Sequence, residues 1–248
     1  MTDREVAEFF DTNVDEYSVG LKEGSEEKLD FVREVTGDEI EPRVLDVGCG
    51  SAEFAAELAE TIDTQHVYGT EVARGMFTEE SVDVRLLLSD GKNLPFQSET
   101  FHLIHMDTVL HHIVGGSRKE SKKYARDTVS ELFRVLKPGG YVLLTERIQK
   151  GRLLSDRTLS YAIFYGLRYG SKLLHPFHPL IHEKQPPICF YTFDEIESMI
   201  DDSPGEIIRK DVFSHPNSYL IEKPFYSSSL RVTFYIEKKA DQIPRGRS

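Results

Sequence analysis

Between residues 43 and 146, short apolar runs alternate with longer stretches of mixed apolar and polar positions. Val44-Leu45-Asp46-Val47-Gly48-Cys49-Gly50 reads as a buried strand that ends in a carboxylate and a glycine turn, and residues 51–58 open a helix behind it. The pattern predicts further strands over 66–70, 84–89 and 101–106. A helix over 124–136 leads through Pro138-Gly139-Gly140 into a strand at 141–145. Residues 4–35 read as helices broken near Gly20–Gly24. Residues 147–190 interrupt the alternation, which resumes with a helix over 193–200, opened by Thr192, and two strands over 206–213 and 230–237. Strands separated by helices imply a parallel, doubly wound sheet. The expectation is an α/β chain with a doubly wound, mostly parallel, seven-stranded sheet. Its parts are an N-terminal helical segment (1–42), a ligand-binding core (43–146), a helical cap insertion (147–190) and C-terminal strands completing the sheet (191–248).

A strand, a glycine turn and a helix together aim backbone N–H groups and a helix N-terminus at a polar ligand. A dinucleotide site needs the spacing G-x-G-x-x-G. Gly48 and Gly50 supply two of the glycines, but the third position is Glu53. A carboxylate there repels a pyrophosphate, so a ligand without phosphates fits better.

Four ordered blocks resemble the class I S-adenosylmethionine-dependent methyltransferases of the small-molecule type. They are Val44 to Gly50, Val67-Tyr68-Gly69-Thr70-Glu71-Val72, Asp90 to Phe96 followed by Phe101 to His112, and Glu131 to Gly140. The resemblance implies a Rossmann-like methyltransferase fold whose last strand is antiparallel, with S-adenosylmethionine as cofactor. It also implies residue roles. Asp46 anchors the methionine ammonium, and Gly48, Cys49 and Gly50 form the turn against it. Glu71, with Val72 beside it, accepts the ribose hydroxyls. Asp90, with Gly91 beside it, accepts from the adenine amino group, and Tyr17 folds over the cofactor. Ala52 stands where many relatives carry a third glycine, and His102 replaces an aspartate usual after the phenylalanine of the fourth strand.

Methyl transfer from a sulfonium is an in-line displacement, driven largely by holding the nucleophile in place. A hydroxyl acceptor benefits from a base. His111 and His112 follow the fourth strand and Glu146 ends the fifth, at the same edge, so these three are the candidate catalytic groups. His175, His178 and His182 have a spacing that would gather imidazoles on one helix face, but Pro176 and Pro179 interrupt such a helix, and no metal site is expected.

The net charge of −12 argues against general nucleic-acid affinity. The cap runs against that balance: seven basic residues, Arg147, Lys150, Arg152, Arg157, Arg168, Lys172 and Lys184, face only Asp156 and Glu183. If the cap is helical, Arg157, Tyr161, Tyr165, Arg168 and Lys172 share one stripe. Such a stripe grips an anionic small substrate or rests on an anionic membrane surface as a peripheral contact. It also arises as a plain solvated face. Two cysteines, no apolar stretch long enough to span a bilayer and no signal peptide after Met1 predict a cytoplasmic protein. The sequence reading is a methyltransferase acting on a small-molecule or lipid-like, anionic acceptor. The alternatives are a tRNA or RNA methyltransferase, supported by the basic run Arg118 to Lys123, and a non-catalytic S-adenosylmethionine-binding regulator.

Overall fold

The computed structural model describes residues 3–12, 24–37, 39–77, 84–174, 188–216 and 226–239. Helices α1 (Asp3–Thr12) and α2 (Ser25–Thr36) precede strand β1 (Val44–Val47). There follow α3 (Glu53–Thr61), β2 (Val67–Glu71), β3 (Arg85–Leu88), β4 (Phe101–Asp107), α4 (Arg118–Val135) and β5 (Leu136–Gly151). Helices α5 (Asp156–Leu174) and α6 (Phe193–Asp201) and strands β6 (Gly205–Pro216) and β7 (Tyr226–Lys238) complete the chain.

The strands form one seven-stranded sheet in the order β3-β2-β1-β4-β5-β7-β6. β1 to β5 are parallel, and β7 pairs antiparallel with both β5 and β6. Alternate residues of each strand point to opposite faces, so each face has its own core. Leu45, Val47, Ile104, Met106, Val142 and Leu144 pack with α4 and α6 residues on one face. Val44, Leu103, Leu143 and Tyr235 meet Leu29, Val32, Ala55 and Leu58 of α2 and α3 on the other. Each such buried aliphatic contributes roughly 1.5–3 kcal/mol, and the sheet is thereby fixed as the platform for its loops.

Among the boundaries that differ from the sequence pattern are three in α4 and β5. α4 begins at Arg118, where Ser117 accepts from the Glu120 N–H at 3.2 Å as an N-cap. The charged run behind the cap hides the apolar spacing of this first turn. β5 begins at Leu136, directly after α4. It also continues to Gly151, because residues 147–151 pair with β7, so the sheet takes in the start of the segment expected to be cap. The Thr192 start is as read: its side chain and that of Glu195 form a reciprocal capping box. No helix among the described residues is long and apolar enough to cross a membrane.

Candidate functional site

In open parallel sheets, ligands bind beyond the carboxyl ends of the strands. The candidate acids all stand there. Asp46 lies one residue from the end of β1, Glu71 ends β2, and Asp90 follows β3. Because β3, β2 and β1 are neighbours in the sheet, the three form a row.

The glycine turn sits at one end of that row. Gly48 and Gly50 have φ of 70° and 55°. A Cβ at Gly48 would lie 2.3 Å from Val109 Cγ2, so only glycine lets the turn approach the loop after β4. The N–H groups of Gly48 and Cys49 donate to Thr70 O, which hangs the turn from β2. The Cys49 thiol packs against Gly69, and burial pushes its pKa up, with Asp46 and Glu71 adding to the shift. The inert thiol leaves the Cys49 backbone as its contribution to the turn. Ala52 holds the left-handed φ of 62° that a glycine would favour.

Glu71 Oε2 accepts the Gly50 N–H at 3.1 Å, and Oε1 accepts those of Val72 and Ala73 at 2.7 and 3.2 Å. This carboxylate therefore braces the turn while remaining half-buried at the strand end. Burial raises its pKa, and the three N–H groups oppose that shift. Asp90 Oδ1 accepts the Lys92 N–H at 2.9 Å, and Oδ2 lies 3.1 Å from Lys92 Nζ. A side chain at Gly91 would touch Val47 and Thr128, which places this loop on the α4 side of β1.

α1 lies over the same edge. Its Asp11 Oδ1 accepts the Gly75 N–H at 2.6 Å, just after β2, and Phe10 meets the His112 ring edge-on at 5.1 Å, just after β4. Tyr17 lies outside the described residues.

Asp46 is buried, and its Oδ1 lies 2.7 Å from His105 Nδ1 on β4. Nε2 of His105 is 3.0 Å from Lys28 Nζ of α2, which donates to Asp107 Oδ2 at 2.8 Å. Arg231 of β7 donates to the same oxygen. Sequence reasoning missed Lys28, His105, Asp107 and Arg231, since their partners are far away along the chain.

The catalytic candidates come together on the opposite face. His111 Nδ1 lies 2.7 Å from Glu146 Oε2, and Glu146 Oε1 accepts the Leu110 N–H at 2.7 Å. Glu146 is 1% exposed. The His111 ring is 4.1 Å from that of His112 and stacks on Phe190 at 5.3 Å. The carboxylate fixes the tautomer in which Nε2 carries the lone pair, the form a base needs.

Helix α5 is held beside this pair by Arg118, the first residue of the basic run that supports the RNA alternative. Arg118 is buried, forks onto Glu195 at 2.9 and 2.7 Å, and donates to Ser160 on α5 and Phe190 O. Tyr161 lies 4.3 Å from its guanidinium. Arg168 donates to Gly115 O at 3.1 Å. Arg168 thus ties α5 to the loop before α4, while Tyr161 covers the Arg118 guanidinium and stays 38% exposed. Arg157 is exposed on the first turn. Lys172 lies on α5 with its side chain outside the described residues, as do His175, His178 and His182 entirely. No group of residues able to hold a metal ion occurs among the described residues.

Residues 45–144 match the family model of a methyltransferase domain. A demethylmenaquinone methyltransferase of Anoxybacillus flavithermus is 32% identical over 131 residues, which is 49% of this chain and 51% of that one. The chain spans about half the length of the curated relatives it matches. Among solved structures, phosphoethanolamine N-methyltransferase 2 of Haemonchus contortus, in complex with phosphomonomethylethanolamine and S-adenosylhomocysteine, superposes with a TM-score of 0.64 at 15% identity. The match covers 97% of this chain and 61% of that one. The (4+2)-cyclase SpnF superposes equally, at 15% identity over 96% and 97% of the two chains. The fold is the Rossmann-like methyltransferase fold. Residues 45–144 match a methyltransferase domain.

The residues present fit S-adenosylmethionine. The row of carboxylates matches a ligand that presents an ammonium, ribose hydroxyls and an adenine amino group. The same row repels phosphates.

Proposed function

We propose that this protein is a cytoplasmic S-adenosylmethionine-dependent methyltransferase acting on a small, lipid-like acceptor with an ionisable ring hydroxyl. The row Asp90, Glu71 and Asp46 on three adjacent strands carries the reading of the cofactor site. Asp46 anchors the ammonium, Glu71 the ribose and Asp90 the adenine amino group, while Gly48 and Gly50 let the backbone approach. When bound, S-adenosylmethionine supplies an electrophilic methyl group to a nucleophile held in line with its sulfonium.

The acceptor side is read from the pair on the other face. His111 Nε2 takes the proton of the acceptor hydroxyl, and Glu146, bonded to Nδ1, stabilises the imidazolium that results. Loss of that proton sends electron density into the ring, whose carbon would take the methyl group as the donor's S–CH3 bond breaks; that carbon would then give up its own proton while the oxygen recovers one from the His111 imidazolium. Phe190, stacked on His111, and Phe10, against His112, offer flat apolar surfaces to such a ring. Relatives named demethylmenaquinone methyltransferase support a quinol-like acceptor.

A membrane-borne acceptor also accounts for the surface of α5. Tyr161, Tyr165 and Tyr169 stack along it, and Tyr169 and the nearby Leu153 are 73% and 76% exposed. With Arg152 and Arg157 beside them, these groups suit the headgroup level of an anionic bilayer as a peripheral contact.

The test is purified protein with S-adenosylmethionine and a reduced, demethylated naphthoquinone. The reading expects methylated quinol in the organic phase and its loss in His111→Gln. No product from this or related ring hydroxyls would remove the acceptor assignment.

A further inference from the structure

The chain of ionisable side chains beneath the glycine turn has a fixed direction. Lys28 is 1% exposed, and its Nζ reaches both Asp107 Oδ2 and His105 Nε2. An ammonium has no lone pair, so His105 Nε2 accepts. The ring proton then sits on Nδ1 and points at Asp46 Oδ1, 2.7 Å away. Arg231 donates to the same Asp107 oxygen as Lys28.

The register brings these groups together. Asp46 lies opposite His105, and Asp107 follows two residues on along the same face of β4. Phe54, on the first turn of α3, lies 4.3 Å from the His105 ring, with Lys28 Nζ 4.6 Å from its centroid. The helix that follows the glycine turn is therefore seated on the same groups.

Stability alone gives weak reason for this arrangement, because apolar replacements of buried charge networks are often neutral or stabilising. Its end point gives a better one. Asp46 must keep its full charge and a fixed orientation to hold an ammonium. Burial, then the charge of Lys28, keep His105 below the usual imidazole pKa. A neutral His105 donates to Asp46 without placing a second cation there to compete with the ligand.

We propose that Lys28 is a positioning residue, acting through His105 to fix the orientation of Asp46 for the ammonium of the methyl donor. This rests on the reading of Asp46 as the ammonium anchor. The test is calorimetry on the full chain with S-adenosylhomocysteine and with methylthioadenosine, which lacks the amino-acid end. Lys28→Met and His105→Leu weaken S-adenosylhomocysteine roughly tenfold, the scale of one charge-assisted hydrogen bond, and leave methylthioadenosine unchanged. His105→Asn, whose amide still donates to Asp46, restores most of the affinity. If Lys28→Met does not fold, the two His105 variants carry the test.

Equal losses for both ligands, or no loss for either, overturn the role of Lys28. Asp46→Asn separates the two claims. If it weakens S-adenosylhomocysteine while the Lys28 and His105 variants bind normally, the relay alone fails. If it binds normally, the anchor reading fails and takes the relay with it.

Discussion

His111 Nδ1 and Glu146 Oε2 lie 2.7 Å apart, joining the interior of β5 to the turn after β4 in one buried pair. If this pair moves the acceptor's proton, Glu146→Gln lowers kcat by roughly 10²–10⁴. S-adenosylhomocysteine affinity stays at the wild-type value, because the pair lies on the acceptor side. A parallel loss of cofactor affinity in calorimetry would make the pair structural.

Glu71 has two tasks that one variant separates. Glu71→Ala removes the ribose acceptor and weakens S-adenosylhomocysteine by about 1.5–3 kcal/mol. It also leaves the N–H groups of Gly50, Val72 and Ala73 without this carboxylate, so thermal stability falls as well. Lower stability with undiminished affinity at a temperature where the variant is folded would cancel the ribose assignment.

The Arg118–Glu195 pair predicts a pH dependence of folding. Burial pushes the Glu195 pKa up, but the hydrogen bonds from Arg118 and Thr192 and the charges of Arg118 and Lys122 outweigh it. The carboxyl is held at about 2, against 4.5 unperturbed. Its folded pKa is thus depressed, so its contribution is fully present above 4.5 and is lost as pH falls from 4.5 towards 2. The difference is on the order of 3 kcal/mol. Urea titrations across that window show a steeper loss for wild type than for Glu195→Gln, which is less stable at neutral pH. Identical slopes would show that the pair contributes nothing to folding.

The exposed face of α5 gives a separate prediction. Replacing Leu153, Tyr165 and Tyr169 with Ser and Arg157 with Gln leaves S-adenosylhomocysteine affinity unchanged and reduces sedimentation with anionic vesicles several-fold, about 1 kcal/mol for each basic group at the surface plus the lost apolar area. Wild-type protein that ignores anionic vesicles, or binds neutral ones as well, would remove the anionic membrane contact.

What the sequence made legible follows from how local each signal is. The strand-end positions of the acids at 46, 71 and 90 could be read because each lies at or near the end of an apolar run, and the helix after Thr192 because its cap is contiguous in the chain. The first turn of α4 was hidden because Arg118 to Lys123 is too charged to show a buried spacing, although Ser117-x-x-Glu120 marks its start. Arg118 and Lys28 were unreadable as buried groups for a different reason. Their carboxylate partners, Glu195 and Asp107, are 77 and 79 residues away, and only the folded sheet brings them together. Helical spacing placed Arg168 on the stripe of α5 but could not reveal its bond to Gly115 O, 53 residues away along the chain.

The most direct test of the methyltransferase reading is transfer of labelled methyl from S-adenosylmethionine into an extract of the source organism, separated into small-molecule, lipid, RNA and protein fractions, with Asp46→Ala as control. The account predicts label in the lipid or small-molecule fraction with wild type and none with the variant. Label confined to RNA would contradict the acceptor class, and no label in any fraction despite measured cofactor binding would point instead to a non-catalytic regulator.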